Sequence, residues 1–295
     1  MRVFVTGATG FIGLAVVKEL IVAGHRVLGL ARSEEGAAVL AAAGAEVLRG
    51  SLSDAEVLRK GAVSSEAVIH LAFIHDFSKF VENCDVDRRA IEVLGVAMAG
   101  SGKLLLVTAG IPGLAWPGQV VTEDHGVPPD YPFPRVSEQT AFALAPKRVR
   151  TSVVRLPQVH DTRRQGLVTY FVALAKAQGA MAYVGTGQNR WAAAHVSDVA
   201  RLYRLALEAN ESGATYHAVA EEGVTQKDIA EAIGAALRMS VKSIPPEEAQ
   251  AYFGTFAMFA GHDIAASSEK TRRKLNWHPT GPSLIEDLGR IGDSP

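Results

Sequence analysis

Hydrophobic positions in this chain fall into two textures that take turns: short unbroken runs rich in valine, leucine and isoleucine, and longer stretches in which apolar residues recur at helical spacing. Val3 to Thr6, Arg26 to Leu30, Ala45 to Leu48, Val68 to Ala72 and Lys103 to Val107 read as buried strands. Leu14 to Ala23, Ala37 to Ala43, Ser53 to Lys60 and Ser78 to Ala99 read as the helices between them, with Ser53 as N-cap of the third. Such regular alternation predicts an α/β fold built on a doubly wound parallel sheet.

The first strand runs into Thr6-Gly7-Ala8-Thr9-Gly10-Phe11-Ile12-Gly13, where a glycine turn opens a helix. Gly7 permits a sharp turn, Gly10 lets the backbone approach a pyrophosphate, and Gly13 lets helix and strand pack closely. The helix N-terminus adds unpaired N–H groups and partial positive charge, so the stretch is expected to hold a dinucleotide. The second strand ends in Ala31, and no acidic residue follows to bond a ribose; Arg32 and Ser33 stand there instead. A guanidinium beside a hydroxyl suits a 2′-phosphate, so NADP(H) is the expected cofactor. Ligands of such sheets lie outside the carboxyl ends of the strands, which makes Ser51, Leu52, Leu71, Ala72, Phe73, Thr108 and Pro157 further candidates for the cofactor cleft. His75 and Asp76 invite an acid/base reading, although two polar residues opening a helix more often cap it.

After the fifth strand the texture changes. Gly110 to Pro134 is rich in glycine and proline and too long for a simple connector, so a functional loop is expected. Helix returns over Val136 to Ala145 and strand over Thr151 to Leu156. Beyond Pro157 the elements shorten: helices near Leu167 to Gln178, Val199 to Glu208, Gln226 to Leu237 (opened by Thr225) and Glu247 to Ala260, with strands at Ala182 to Val184, Trp191 to Ala194 and Thr215 to Val219. The expected organisation is a Rossmann domain over residues 1–156 and a mainly substrate-binding lobe over 157–295, some of whose elements return to the Rossmann sheet. The helix carrying Tyr252, Phe253, Phe256 and Phe259 reads as core before it reads as a pocket wall.

The chain has 295 residues and a formal net charge of −1, so no basic footprint argues for nucleic acid or an anionic membrane. No run of about 20 apolar residues argues for a span. Lys18 and Glu19 inside the first helix argue against a signal peptide. Cys84 is the one cysteine, which excludes an internal disulfide and a thiolate metal cluster and fits a reducing cytoplasm.

The glycine octet, together with Val68 to Phe73, Val154-Arg155-Leu156-Pro157 and His195-Val196-Ser197-Asp198-Val199-Ala200, resembles the extended short-chain dehydrogenase/reductases of the NAD-dependent epimerase/dehydratase type, over almost the whole chain. The resemblance implies a serine after the fifth strand and a Tyr-x-x-x-Lys on the following helix. Here Ala109, Pro134 and Glu138 occupy those positions. Thr108 stands in for the serine if the register shifts by one, and Tyr131 lies near the lost tyrosine; both are weak catalytic candidates. Candidate substrate contacts are His75, Tyr131, Gln158, Arg190 and Trp191, with a packed tryptophan and a surface arginine equally in keeping for the last two.

A placed acid is typically worth about 10²–10⁴-fold, so a reductase without one needs its proton from elsewhere. A ketone bearing a neighbouring phenol supplies its own. In this the chain is similar to atypical ketoreductases that tailor aromatic polyketide antibiotics such as angucyclinones. An NADPH-dependent ketoreductase acting on a small-molecule, polycyclic aromatic ketone is the leading expectation. A non-catalytic NADP-binding redox sensor comes second, and a nucleotide-sugar epimerase or dehydratase third.

Overall fold

The computed structural model describes residues 1–114, 118–128, 130, 131 and 133–291. Twelve strands are described: β1 (Arg2–Thr6), β2 (Arg26–Ala31), β3 (Glu46–Arg49), β4 (Ala67–His70), β5 (Leu104–Gly110), β6 (Arg150–Leu156), β7 (Gln158–His160), β8 (Ala180–Val184), β9 (Arg190–His195), β10 (Thr215–His217), β11 (Glu221–Thr225) and β12 (Ser240–Ile244). The helices are α1 (Phe11–Val22), α2 (Glu34–Ala42), α3 (Ala55–Val63), α4 (Phe80–Met98), α5 (Ser137–Phe142), α6 (Val168–Gln178), α7 (Val196–Ala209), α8 (Gln226–Leu237), α9 (Ala249–Phe253), α10 (Ala257–Ala260), α11 (Glu269–Leu275) and α12 (Leu284–Leu288).

Seven strands form one parallel sheet in the order β10-β6-β5-β4-β1-β2-β3. The α/β expectation is met, and β1 explains how. Val3 and Val5 enter the core shared with α1 and α7, while Phe4 points into the opposite core under α3 and α4. A strand covered on both faces reads as an unbroken apolar run. The direction of winding reverses between β1 and β4, so a crevice opens at their carboxyl ends. A third core gathers Phe171, Trp191, Phe253 and Phe259 beneath α6, α8, α9 and α10. β9 pairs with β7 and β11 in a three-stranded sheet, and β8 pairs with β12. Among the described residues, no helix is long and apolar enough to cross a membrane and no cluster of three or more His, Cys, Asp or Glu is arranged to hold a metal.

Several local expectations are corrected. Asp54, not Ser53, caps α3, its carboxylate accepting from the Val57 amide at 3.1 Å. The helix expected from Ser78 starts as a 3₁₀ turn at Phe77–Lys79, capped by Asp76, and becomes α4 at Phe80. β5 runs on to Gly110 and β10 stops at His217. The single helix expected over Glu247 to Ala260 is broken at Gly254, whose φ of +55° lies in the left-handed region. The turn lets Tyr252 and Phe253 bury in the core while Phe256 faces Tyr170.

Candidate active site

A cleft of about 880 Å³ lies across the carboxyl ends of β1, β4 and β5 and continues to Pro112, Leu114, Val127, Tyr131 and Phe133; part of the 110–134 stretch expected to be a functional loop lies outside the described residues. The cleft's floor at one end is the glycine turn. Gly7 has a φ of +70°, and a Cβ there would sit 2.7 Å from the Ala72 backbone. At Gly13 a Cβ would fall 2.0 Å from the Gly7 carbonyl oxygen, so α1 can approach β1 this closely only without a side chain. The α1 N-terminus has no side-chain cap and no acidic residue in its first turn, which leaves its first amides open toward the cleft. This cradle fits a dinucleotide pyrophosphate.

Most of the candidate cofactor residues line the cleft: Gly7, Thr9, Gly10, Phe11, Ile12 and Gly13 at the turn, Arg32 at the β2 end, Ser51 and Leu52 after β3, and Leu71, Ala72, Phe73 and Pro157 toward the centre. Three do not. The Thr6 hydroxyl turns inward to His70 Nδ1 at 2.8 Å. Ser33 caps α2, its Oγ accepting from the Gly36 amide at 3.1 Å. Thr108 donates to the His70 carbonyl at 2.8 Å and lies 2.7 Å from the Tyr203 hydroxyl, both buried contacts beneath the cleft floor. The Thr6 and Thr108 hydroxyls are consumed by polar groups that burial would otherwise leave unpaired, whereas Ser33 is an exposed helix cap.

Of the candidate substrate residues, His75, Tyr131, Gln158 and Trp191 line the cleft. Desolvation, with the Arg135 charge second, lowers the pKa of His75 from the ordinary histidine value, although the residue is exposed at the cleft. Burial pushes the Tyr131 phenol up to about 12, so it is held as a donor, and its hydroxyl bonds the Pro112 carbonyl at 3.2 Å. The Gln158 amide nitrogen is committed to the Gln165 carbonyl, so this side chain ties down the 161–166 loop. Arg190 is removed from the site: Asp263 accepts from its backbone amide at 2.6 Å and from its Nη2 at 2.8 Å. Trp191 is 2% exposed and belongs to the third core as much as to the cleft.

Where the resemblance implies serine, tyrosine and lysine, the structure builds something else. Ala109 lines the cleft without a polar group. Glu138 is buried and takes two hydrogen bonds from Arg155, Nε to Oε2 at 2.7 Å and Nη2 to Oε1 at 2.6 Å. Beside it, Ser137 Oγ donates to Asp87 at 2.5 Å and accepts from Arg135 Nε at 3.0 Å, while Asp87 also bonds His70 Nε2 at 3.1 Å. Burial alone would push the Asp87 carboxyl up, but the Arg135 charge and the bonds from His70 and Ser137 outweigh it and hold it below the ordinary carboxylate range. Arg135 and Ser137 both line the cleft, and sequence reasoning missed them. Their signal was position alone: they flank the sites of the absent pair.

The far end of the cleft is an aromatic chamber. Phe77 stacks with Phe80 at 5.7 Å between centroids and meets Tyr170 edge-on at 5.6 Å; Tyr170 stacks on Phe256 at 4.6 Å, and Phe133 stacks on Phe259 at 5.9 Å. Of the helix read first as core, Phe259 both packs and lines the cleft.

The sequence pattern of the NAD dependent epimerase/dehydratase family matches residues 3–86 and 137–220. The chain belongs to that family. The uncharacterized protein YLL056C of Saccharomyces cerevisiae is 44% identical over 98% of both chains. The decarboxylating sterol-4-alpha-carboxylate 3-dehydrogenase of Dictyostelium discoideum is 27% identical, covering 76% of this chain and 72% of that one. Among solved structures, the dTDP-glucose 4,6-dehydratase DesIV of Streptomyces venezuelae, with NAD bound, superposes with a TM-score of 0.78 at 19% identity over 99% of this chain and 96% of that one. The family is described as NAD dependent, and the unsubstituted glycine cradle of this chain is in keeping with a nicotinamide dinucleotide.

Proposed function

We propose that the protein is an NADP(H)-dependent ketoreductase acting on a bulky, apolar aromatic ketone, with the proton supplied by the substrate's own neighbouring phenol. The observation that carries this reading is the union, in one cleft, of an open phosphate cradle with a chamber walled by Phe77, Phe80, Phe133, Tyr170 and Phe259. Flat hydrophobic rings suit such walls better than a sugar does. The sterol substrate class in the name of the Dictyostelium relative supports an apolar occupant. Arg32, exposed at the β2 end with its carbonyl held by Arg49 Nη2 at 3.2 Å, supports NADP(H) over NAD(H).

When bound, the reduced dinucleotide supplies hydride to a carbonyl carbon. The protein's share is binding and orientation: Gly7, Gly10 and Gly13 seat the pyrophosphate, Arg32 bonds the 2′-phosphate, and the aromatic walls fix the ketone and exclude water.

Pro134 and Glu138 favour a second reading, a dinucleotide-binding sensor without turnover, and the family name keeps a nucleotide-sugar reaction as a third. One experiment separates the three. Purified protein is given NADPH or NADH with polycyclic ketones that carry or lack an adjacent hydroxyl, and with nucleotide sugars. Reduced-nicotinamide absorbance and product mass are followed. Turnover confined to the hydroxyl-bearing ketones is expected. Tight NADPH binding with no product from any ketone would leave the sensor standing, and a converted nucleotide sugar would replace both readings.

A further inference from the structure

We propose that Arg135 is the oxyanion-binding catalytic residue of the cleft, a fixed guanidinium that takes over the electrostatic task of the missing tyrosine and lysine. The inference rests on the carbonyl-reduction reading and adds the group that meets the developing charge.

Besides the neutral phenols of Tyr131, whose proton goes to the Pro112 carbonyl, and Tyr170, five ionisable side chains line the cleft: Arg32, His75, Arg135, Glu138 and Arg164. Arg32 stands at the β2 end. Arg164 is exposed on the 161–166 loop, and Glu138 is neutralised by Arg155. His75 is exposed, and the Arg135 charge disfavours its protonated form. Arg135 alone combines a central place, charge and burial, with its side chain 22% exposed. It follows Pro134, at the carboxyl end of β5.

Its geometry is that of a group held in advance. Nε donates to Ser137 Oγ at 3.0 Å, Nη2 donates to the Thr108 carbonyl at 3.3 Å, and Cζ lies over the Phe73 ring, 4.3 Å from its centroid. Nη1 has no protein hydrogen-bond partner among the described residues. The nearest carboxylate, Asp87, lies 3.8 Å from Nε, beyond hydrogen-bond distance. Ser137 stands between them, giving its proton to Asp87 and its lone pair to Arg135. The guanidinium is therefore hydrogen-bonded through a neutral hydroxyl, with the buried Asp87 carboxylate as its ion-pair partner on the Nε side and no carboxylate bonded to Nη1 among the described residues. Donors fixed before reaction, in a site that excludes water, are worth far more to a developing oxyanion than donors that must reorient. Ser137 and Asp87 are positioning residues in this scheme.

The carbonyl carbon gains a C–H bond as a C–H bond of the reduced dinucleotide breaks, and the dinucleotide leaves oxidised. The carbonyl π pair moves to oxygen, which becomes an alkoxide against Arg135. The adjacent phenol O–H passes its proton to that alkoxide and is left as a phenolate, which solvent reprotonates. Arg135 keeps all its protons, as a guanidinium does in proteins.

The test has one arm that needs no turnover. Binding of 2-naphthoate and of its neutral isostere 2-naphthamide is measured by calorimetry. The wild-type protein is expected to prefer the carboxylate by about 10-fold or more. Arg135→Gln, which retains a donor toward Ser137, is expected to lose that preference, and Arg135→Lys to keep part of it. In the second arm, with a ketone that is turned over, Arg135→Gln lowers kcat by roughly 10²–10³-fold with little change in KM. A wild-type protein without carboxylate preference, or an Arg135→Gln variant with unchanged preference, overturns the proposal. Unchanged kcat in that variant also overturns it while leaving the reductase reading intact. An Arg135-dependent preference with no ketone reduced supports the oxyanion site and removes the reductase reading instead.

Discussion

Arg155 on β6 and Glu138 on α5 form a two-point ion pair, 2.6 and 2.7 Å long, at the helix position where a lysine would belong. Arg155 also donates to the His125 carbonyl at 2.6 Å and meets His217 Nε2 at 3.2 Å, so the guanidinium is bonded on every side. Removing one partner strands the other charge in the interior. Glu138→Ala is expected to cost about 3–5 kcal/mol, read as a lowered midpoint in urea. Rebuilding the family pattern with Pro134→Tyr and Glu138→Lys is expected to destabilise by a similar amount and to raise no activity, because the new ammonium would face Arg155. A double variant of wild-type stability with faster turnover would refute this account of the site.

The glycines of the cradle are not equivalent. A Cβ at Gly13 meets the Gly7 oxygen at 2.0 Å, so Gly13→Ala must displace the turn and is expected to cost about 1–3 kcal/mol. At Gly10 the nearest atom is that same oxygen at 3.1 Å, and φ is −76°. Gly10→Ala should therefore fold nearly as wild type, within about 1 kcal/mol, yet place a methyl where a phosphate must come. Thermal unfolding beside NADPH titration distinguishes the two. Equal stability losses would mean the cradle's function has been misassigned.

Arg32 lies in the cleft beyond the glycine turn, and Arg49, paired with Glu34 at 3.0 Å, steadies its backbone. Arg32→Ala is expected to weaken NADPH about 10- to 100-fold while leaving NADH unchanged. Fluorescence titration of the two nucleotides checks it; a parallel loss for both would place Arg32 in general phosphate binding.

The seven-stranded sheet was legible because its central strands are buried on both faces, which writes them as continuous apolar runs, and because the glycine turn has steric demands only glycine meets. The polar interior was not legible. Nothing in the spelling of Thr6 or Thr108 shows that their hydroxyls are consumed by His70 and Tyr203. Arg190 looked exposed until Asp263, 73 residues away, was seen to hold it. Arg135 and Ser137 carried no motif, since their importance comes from long-range pairing with Asp87 on α4. The second lobe was blurred because β7, β11 and β12 are short and partly polar, and because the break at Gly254 interrupts an otherwise helical apolar pattern.

Acid sensitivity follows from His217. Burial first, and the Arg155 guanidinium second, push it from 6.5 down to about 4. Its Nδ1 bonds the Ser267 carbonyl at 2.7 Å, so a second proton would have to sit on Nε2 facing Arg155. Above pH 6.5 neither state is protonated and the full stability is present. Between 6.5 and about 4 the unfolded chain takes up a proton that the native chain refuses, so stability falls as pH falls, by at most about 1.4 kcal/mol per pH unit for this one group. His75 and His160, both also lowered chiefly by burial, act in the same direction. His217→Gln should give a shallower slope across this window in urea unfolding at stepped pH. An unchanged slope would assign the acid sensitivity to the other histidines.

Thr108 offers the sharpest separation of structure from catalysis. If the register of the resemblance is shifted by one, this hydroxyl is the catalytic one, and Thr108→Ala should lower kcat by roughly 10²-fold or more. The structure says otherwise: Thr108 is 3% exposed, its proton goes to the His70 carbonyl, and its oxygen is left to accept from Tyr203, itself fully buried. Burial raises the Tyr203 phenol well above its ordinary value, so it remains a donor in need of an acceptor. Thr108→Ala leaves that donor unpaired and is expected to cost about 1–3 kcal/mol of stability. The backbone carbonyl that holds Arg135 is unaffected by the substitution, so kcat should stay within a few-fold of wild type at a temperature where the variant is folded. Thr108→Ser restores the acceptor and should recover most of the stability. A large loss of kcat in a Thr108→Ala variant that remains folded would return this residue to the reacting atoms and displace Arg135 from them.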